Sequence, residues 1–305
     1  MPGWIIILSI AAFITALILI INLTDFWMKP PVCPARSFCP DIVITSKGNR
    51  AAALLLHEYH GTPESMRYQG EALAERGMDI YIPAMPGASD TLDDLRKLCP
   101  PDFRLWYAFI RDYYNGLAKK YDSILLVGAS IGGSIALKLA AEVTPQPRAV
   151  VTLASPVVIT GRHFRKRLLR NTMLRFSGAL ALFGNEVKTR EMSPEARRMV
   201  DYHGIDGVLF PKSVHSQKIG LRGVRKALRG VKCPVLAFHA EGDATVGTEN
   251  IDRIARGVSS AIVVRKRLDL SGDTVSHRHR LASHTLVRAE IARWIAGFLE
   301  LTEAK

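Results

Sequence analysis

One stretch near the middle of the chain, residues 121–143, restricts the fold more than any other. Its apolar run at 124–127 is short and rich in branched side chains, which is typical of a buried parallel strand. The sequence Gly128-Ala129-Ser130-Ile131-Gly132-Gly133 follows, and residues 134–141 then have helical spacing and strong helix formers. A strand, a Gly-x-Ser-x-Gly turn and a helix predict a sharp bend that exposes the Ser130 hydroxyl as a nucleophile. The alternative is a glycine-rich turn with a chance serine, which would not require the flanking strand and helix.

Short apolar runs alternate with helical patterns over most of the chain that follows residue 40. This alternation predicts an α/β fold, with a mostly parallel sheet flanked by helices on both faces. Right-handed crossovers then bring the carboxyl ends of the strands, and the loops after them, to one edge. Residues 157–229 interrupt the alternation and are expected to form a helical cap or lid insertion. The predicted strands are 41–45, 52–56, 78–83, 124–127, 149–153, 234–238 and 261–264, and the predicted helices include 64–76, 101–120, 134–141 and 286–301.

A serine nucleophile needs a base to accept its proton and a carboxylate to orient that base. On a sheet of this kind the acid follows the nucleophile in the chain and comes after a later strand. Asp243 meets this expectation, because it follows the strand at 234–238 and a glycine in a turn. An ordinary turn aspartate is the alternative interpretation of Asp243, and Glu241 is the second candidate for the acid.

The base is expected in the loop after the strand near residues 262–267. Three histidines lie there, and His277 is the candidate because it is closest to the end of the strand and its turn. His279 and His284 are the alternatives.

The oxyanion produced by attack on a carbonyl needs two backbone donors. The N–H of Ile131 is one, and position in the chain predicts the N–H of Tyr59, after the strand at 52–56, as the other. His57 and His60 flank Tyr59 and are interpreted as groups that hydrogen-bond the loop rather than as bases or ligands. The sequence contains no Cys and His spacing typical of a metal site.

Three motifs together resemble the α/β-hydrolase superfamily, and most of all its carboxylesterase and monoacylglycerol-lipase group, with the serine aminopeptidase-like families nearby. The resemblance covers about residues 41–300 and implies a Ser/Asp/His triad, ester hydrolysis and no cofactor. The motifs are Leu54-Leu55-Leu56-His57-Glu58-Tyr59-His60-Gly61, Val127-Gly128-Ala129-Ser130-Ile131-Gly132-Gly133, and Gly242-Asp243 after a strand.

Three positions depart from the pattern of these families. Glu58 stands where a glycine usually follows the first histidine, and its carboxylate would oppose a developing oxyanion if it pointed inward. Ala88 stands where the family often has a histidine between glycine residues. Asp273 occupies the position directly after Ser-Gly where the catalytic histidine is commonly found, so that His277 implies a small insertion.

The amino terminus carries about twenty uncharged residues from Trp4 to Leu23, enough to span a bilayer as a helix. Trp4 and Trp27 bracket this stretch as interfacial aromatics do. A cleaved signal peptide is the alternative, but no basic residue precedes the stretch and no Ala-x-Ala site follows it. We therefore expect a single-pass anchor over 1–28, a juxtamembrane linker over 29–40 and an α/β domain over 41–305.

Basic residues follow the apolar stretch, and this asymmetry favours a cytoplasmic location for the rest of the chain. Cys33 and Cys39 lie in the proline-rich linker, and a disulfide between them would instead suit an oxidising compartment. The chain has 41 basic and 28 acidic residues, a net charge of +13 that favours anionic surfaces. Without a nucleic-acid-binding motif, an anionic membrane is the expected partner rather than nucleic acid.

The predicted cap contains a cluster of basic residues interleaved with apolar ones, beginning at Arg162 and ending near Phe176. A basic amphipathic helix is typical of a membrane surface, and a solvated charged face is the alternative.

The serine motif, the apolar amino terminus and the basic cap together predict a membrane-anchored serine hydrolase of acyl esters such as monoacylglycerol or lysophospholipid. The alternatives are an aminopeptidase or amidase of the same fold, and a non-catalytic relative that binds a lipid or a partner.

Overall fold

The computed structural model describes residues 3–24, 37–46, 48–98, 101–159, 176–184, 186–202, 204–276 and 278–303. Its centre is a seven-stranded sheet with the order β1-β3-β2-β4-β5-β8-β9. Only β1 is antiparallel to its neighbour, so the prediction of a mostly parallel sheet is confirmed. The strands are β1 (Ile42–Ile44), β2 (Ala51–Leu56), β3 (Asp79–Ile82), β4 (Ser123–Ala129), β5 (Ala149–Leu153), β8 (Val235–Ala240) and β9 (Val263–Leu268), and a separate antiparallel pair is formed by β6 (Val187–Lys188) and β7 (Val208–Leu209).

Helices cover both faces of the sheet, as expected for a parallel sheet built from long crossovers. The α-helices are α1 (Gly3–Leu23), α2 (Arg67–Ala74), α3 (Leu92–Lys97), α4 (Phe103–Leu117), α5 (Ile131–Glu142), α6 (Ser177–Phe183), α7 (Pro194–Arg197), α8 (Pro211–Ala227), α9 (Glu249–Gly257) and α10 (Arg288–Glu303). Short 3-10 turns occupy Pro63–Met66, Leu228–Gly230 and Leu281–Ser283.

Alternate side chains of the central strands enter two separate hydrophobic cores. Ala53 and Leu55 of β2 pack with α2 and α10 on one face, while Leu54 and Leu56 pack with α4, α5 and α8 on the other. All four of these side chains are fully buried. This two-sided burial explains why the strand is apolar at every position instead of alternating. The sheet is therefore a rigid base for the loops at its carboxyl edge.

The predicted element boundaries differ from the observed ones mostly at helix starts. The helix predicted from residue 64 begins with a 3-10 turn over Pro63–Met66 and becomes α-helical only at Arg67. The final helix begins at Arg288 rather than near residue 286. Asp102 caps α4 by accepting from the backbone N–H groups of Arg104 and Leu105, which explains why that helix begins at Phe103 rather than at 101.

The chain between β5 and β8 holds α6, α7, α8 and the β6–β7 pair in its described part. The basic cluster predicted for the cap lies outside the described residues, apart from Phe176 at its end, which is 40% exposed. Helix α8 packs against α4, α5 and α6. Gly220 lies where a Cβ atom would be 2.3 Å from the Phe103 ring, so the small residue permits close contact with α4.

Helix α1 is the described helix that is long and apolar enough to cross a membrane, over Trp4–Ile21, and none of that stretch is buried. Its carboxyl end contacts helix α8. The Arg222 guanidinium donates to the carbonyl of Leu23, and His215 Nε2 lies 2.7 Å from the carbonyl of Thr24. A cationic side chain at a helix carboxyl end satisfies carbonyls that have no partner within the helix. Trp27 and Cys33 lie outside the described residues, while Cys39 is buried with its sulfur 3.4 Å from Asp90 Oδ2.

Candidate active site

Ser130 stands in the bend between β4 and α5, in a backbone conformation that few non-glycine residues adopt. Its φ is 49° and its ψ is −121°. Its backbone N–H donates to the carbonyl of Leu153 at the end of β5, at 2.7 Å, which ties the bend to the neighbouring strand. A strained conformation held by its surroundings is common at functional sites.

The glycines of the motif are required by close backbone approach. A Cβ atom on Gly128 would lie 2.4 Å from the Cα of Gly133, and one on Gly132 would lie 2.4 Å from the carbonyl oxygen of Leu56. No ordinary side chain fits at either position. The predicted strand, bend and helix around Ser130 therefore match the structure.

Asp243 follows β8 in the loop where the sequence predicted an acid. Gly242 has a φ of +75°, and the turn it allows directs the Asp243 carboxylate back toward the sheet edge. Oδ1 accepts from the backbone N–H groups of Thr245 and Val246, at 2.7 and 2.9 Å. These two bonds leave Oδ2 for a side-chain partner.

His279 joins the serine and the aspartate. Its Nε2 lies 2.9 Å from Ser130 Oγ, and its Nδ1 lies 2.7 Å from Asp243 Oδ2. The sequence ranked this histidine behind His277, which lies outside the described residues. His279 lies between Arg278, whose φ is +54°, and the 3-10 turn Leu281–Ser283.

His239 is a neighbour of Asp243 that the sequence analysis did not single out. It lies on β8, with Nε2 3.3 Å from Asp243 Oδ2 and 3.2 Å from the carbonyl of Val246. Burial alone would raise the pKa of Asp243, but the charge of His279 and hydrogen bonds from His239 and His279 outweigh it and hold this pKa well below its usual range. The carboxylate is thus kept ionised. The sequence does contain a signal for the contact between the two residues, because His239 precedes Asp243 by only four residues at the end of the same strand.

The two backbone donors predicted for an oxyanion both follow parallel strands, β4 and β2. Ile131 is the first residue of α5, and Tyr59 follows β2. Among the described residues, neither backbone N–H donates to a protein acceptor.

His57 holds the loop after β2, as the sequence predicted. Its Nδ1 lies 3.0 Å from the carbonyl of Glu58, and its Nε2 accepts from the backbone N–H of Met85 at 3.1 Å. Burial lowers the pKa of His57, which suits a neutral ring that both donates and accepts. His60 instead stacks on Tyr59, with 3.7 Å between ring centroids, and its Nε2 has no hydrogen-bond partner among the described atoms.

Glu58, which departs from the family pattern, points toward cationic and hydroxyl partners. Its Oε1 lies 2.9 Å from Arg280 Nη1, and Oε2 accepts from the Ser65 hydroxyl at 2.8 Å. The arginine cancels the charge that would otherwise oppose an oxyanion. In the folded structure, therefore, the negative charge of Glu58 is paired with a cation and does not oppose the oxyanion.

Asp273 and His284 form a second buried aspartate–histidine pair. His284 Nε2 lies 3.0 Å from Asp273 Oδ2, and neither side chain is exposed. Asp273 Oδ1 also accepts from the backbone N–H groups of Val275 and Ser276. The pair therefore stabilises the loop that carries His279, although Asp273 stands where related sequences commonly have the catalytic histidine.

Over the described ranges, no three His, Cys, Asp or Glu side chains converge as metal ligands.

The chain is similar to known ester hydrolases, although no protein-family model matches it. A thermostable monoacylglycerol lipase of Bacillus sp. strain H-257 is 27% identical over 214 residues, which are 68% of this chain and 76% of that protein. A carboxylesterase of Bacillus subtilis is 30% identical over 152 residues, half of this chain and 56% of that protein. The crystal structure of a monoacylglycerol lipase from Paleococcus ferrophilus has a TM-score of 0.67 at 14% identity, covering 86% of this chain and 98% of that one. The structural likeness extends over nearly all of that enzyme and shows that the fold is shared.

Proposed function

We propose that the chain is a serine-type ester hydrolase in which Ser130, His279 and Asp243 form the catalytic triad, because it is similar to a monoacylglycerol lipase and a carboxylesterase and shares their kind of fold. The single observation that carries this proposal is the position of the His279 ring between Ser130 Oγ and Asp243 Oδ2. The proposal assigns the base to His279 in place of His277, while Ser130 and Asp243 keep the roles predicted from the sequence.

The first half of the reaction forms an acyl-enzyme. Ser130 Oγ attacks the carbonyl carbon of the ester while its proton passes to His279 Nε2. Asp243 accepts the Nδ1–H of His279, which fixes the ring orientation and stabilises the imidazolium. The backbone N–H groups of Ile131 and Tyr59 hold the oxyanion of the tetrahedral intermediate. When that intermediate collapses, His279 gives its proton to the departing alcohol.

The second half releases the acid. Water attacks the acyl-enzyme and loses a proton to His279, and collapse of the second tetrahedral intermediate returns the proton to Ser130 Oγ. The carboxylic acid leaves, and the enzyme is regenerated without a cofactor. The low pKa of Asp243 supports this cycle, because the carboxylate stays ionised beside each transient imidazolium.

The substrate class that we propose is a single-chain lipid ester, such as a monoacylglycerol or a lysophospholipid. The relatives that support it include lipases named for monoacylglycerol. The exposed apolar surface at the carboxyl end of α6 also supports it, since Leu182 is 53% exposed and Phe183 is 88% exposed. Helix α6 contacts α1, so this surface lies beside the apolar helix.

We propose further that α1 is a single-pass anchor with the catalytic domain on the cytoplasmic side. Its length and composition suit a bilayer span, and a signal sequence shares both features. The contacts of Arg222 and His215 with the end of α1 favour a retained helix, because cleavage would remove the two carbonyls that these side chains contact. Basic residues after the helix favour the cytoplasmic side.

The two alternative functions have less support. An aminopeptidase would need an acidic group to grip the substrate amine, and Glu58, the candidate for that role, is already paired with Arg280. A non-catalytic relative would have no need of a histidine within hydrogen-bond distance of both Ser130 and Asp243. Ester hydrolysis accounts for both contacts.

The direct test replaces the nucleophile. The full-length chain in detergent should hydrolyse p-nitrophenyl butyrate and monoacylglycerol and should react covalently with a fluorophosphonate probe. Ser130→Ala should lose turnover by about 10⁴-fold or more and lose labelling entirely. Ser134→Ala, which changes a buried serine one turn further along α5, should still label. Labelling that persists in Ser130→Ala would refute the proposed nucleophile.

A further inference from the structure

Two loops that carry the proposed catalytic groups are joined by a partly buried ion pair. Glu58 directly precedes Tyr59, the proposed oxyanion donor, and Arg280 directly follows His279, the proposed base. Arg280 Nη1 lies 2.9 Å from Glu58 Oε1, and the two side chains are 15% and 6% exposed. A bond between immediate neighbours of a donor and a base constrains the distance between those two groups.

The surroundings show that the pair is closely fitted. The Ser65 hydroxyl donates to Glu58 Oε2, and a Cβ atom on Gly61 would lie 2.9 Å from Glu58 Cδ. On the other side, a Cβ atom on Gly204 would lie 3.0 Å from Arg280 Nη1. Glycine at these two positions leaves room for the carboxylate and the guanidinium, respectively.

Residues of the segment between β5 and β8 also pack beside the Glu58–Arg280 ion pair. The backbone N–H of Ile205 donates to the carbonyl of His60 at 3.1 Å, and His60 itself has a φ of +59°. The loop at 57–61, the loop at 278–280 and the segment at 204–205 therefore meet around one pair of opposite charges. Shielded from water, those charges interact more strongly than a surface pair would.

We propose, on the basis of the function above, that Glu58 and Arg280 are positioning residues. Their ion pair fixes the loop of Tyr59 against the loop of His279 and cancels the net charge beside the triad. Neither side chain contacts the reacting atoms, so both act through their neighbours. The similar families usually have a glycine after the first histidine, and a glycine brings no charge to the site. In this chain, the ion pair brings a net charge of zero to the same place.

Removing the charge of Glu58 and removing the charge of Arg280 should have opposite effects on protonation of the His279 imidazole. Loss of the Glu58 charge leaves a cation near His279 and disfavours protonation of the imidazole. Loss of the Arg280 charge leaves a carboxylate that favours protonation and opposes an oxyanion at Tyr59. A purely structural role predicts no such opposition, because either loss would only loosen the loops.

The other titratable and charged groups that face the Glu58–Arg280 pair and the triad are not changed by substitutions at Glu58 or Arg280. From the described residues these are His57 and His60 in the loop after β2, Tyr202 between β6 and β7, Asp243 with its neighbour His239, and Arg278, whose guanidinium binds the carbonyls of Asp273 and Glu241.

The experiment compares Glu58→Gln, Arg280→Gln and the double variant in the full-length chain. Hydrolysis of p-nitrophenyl butyrate is followed from pH 5 to 9, and kcat and KM are separated. We expect the acid limb to move down by roughly half to one pH unit in Glu58→Gln and up by a similar amount in Arg280→Gln. Arg280→Gln should also lose about tenfold or more in kcat with little change in KM. In the double variant, the acid limb should return to the wild-type position.

Two further variants keep the test decisive. Glu64→Gln removes an exposed carboxylate paired with Arg67 and should match the wild type. Arg280→Lys keeps the cation, so its acid limb should stay at the wild-type pH even if the other variants unfold. The proposal is overturned if the two single variants shift the limb in the same direction or not at all, or if Arg280→Lys shifts it. An inactive wild type would instead count against the proposed function.

Discussion

At the scale of single residues, the main question is which of three late histidines serves the serine. All three lie within one loop, and order along the chain favoured His277 because it is nearest to β9. The structure brings His279 within 2.9 Å of Ser130 Oγ and gives His284 a buried aspartate as its partner. The residue before His279, Arg278, has a φ of +54°, a backbone conformation that hydrophobic periodicity does not predict.

Alanine substitutions at the three histidines should separate these roles. His279→Ala should lower kcat by about 10⁴-fold or more, because the serine then has no base. His277→Ala should keep fluorophosphonate labelling, and His284→Ala should keep labelling at low temperature while unfolding more readily. Labelling rates and thermal unfolding curves distinguish these outcomes. Wild-type activity in His279→Ala would transfer the role to another histidine.

Asp273 should make stability depend on pH. Burial raises the pKa of this carboxyl, but hydrogen bonds from Ser276 and His284 and from backbone N–H groups outweigh it and hold the pKa below its unfolded value. A depressed pKa contributes stability that is present above about pH 4 and is lost as the pH falls below that. Asp273→Asn should therefore cost roughly 1–3 kcal/mol at pH 7 and progressively less between pH 4 and 2. Chemical denaturation at several pH values measures this, and a constant difference across the range would contradict it.

At the scale of elements, the bend between β4 and α5 depends on backbone contact with β2. The first residues of α5 approach so closely that Gly132 faces the carbonyls of Leu56 and His57. A helix placed this near the sheet points its amino terminus, with its unpaired N–H groups, at the sheet edge. The same contact that strains Ser130 therefore also positions the Ile131 donor.

Gly132→Ala should disrupt this element. The added Cβ would lie 2.4 Å from the Leu56 carbonyl oxygen and 2.6 Å from that of His57, so the bend must shift. We expect a loss of about 2 kcal/mol or more in stability and a fall of roughly 100-fold in kcat. Gly116→Ala is the matched control, since nothing lies within 4 Å of its Cβ and alanine should stabilise α4 by about 1 kcal/mol. Equal behaviour of the two variants would refute the steric argument.

At the scale of the whole molecule, the apolar helix and the catalytic domain are connected through α8. Arg222 and His215 bind the carbonyls that end α1, and α8 runs from there along α5, which begins at the nucleophile. On the proposal that α1 lies in a bilayer, this connection holds the exposed Leu182 and Phe183 near the membrane surface.

Removal of residues 1–24 should separate membrane binding from chemistry. The full chain should float with phosphatidylcholine vesicles, and the shortened chain should remain in the aqueous fraction. Its hydrolysis of soluble p-nitrophenyl butyrate should stay within about threefold of the wild type, while its hydrolysis of vesicle-borne monoacylglycerol should fall by at least about tenfold. Phe13→Arg, which puts a charge near the middle of the helix, should weaken flotation without removing the α8 contacts. A shortened chain that still floats would exclude α1 as the anchor.

Local pattern was sufficient for the elements that have a strong sequence signal. Apolar runs predicted all seven strands of the central sheet, although β9 lies at Val263–Leu268 rather than at 261–264. The glycines around Ser130 predicted the bend, because close backbone approach allows no other residue there. The location of Asp243 at this edge was also predicted by its position in the chain, since the loop after each parallel strand must lie at the same edge. These features depend on neighbours in the chain or on the sheet direction alone.

The tertiary structure decided the features that depend on how distant loops pack together. It brought His279 to Ser130 Oγ and paired Glu58 with Arg280 across 222 positions of sequence. The position of α1 against α8 is of the same kind. Side-chain contacts between loops depend on the path of each loop in space, and hydrophobic periodicity carries no information about that path.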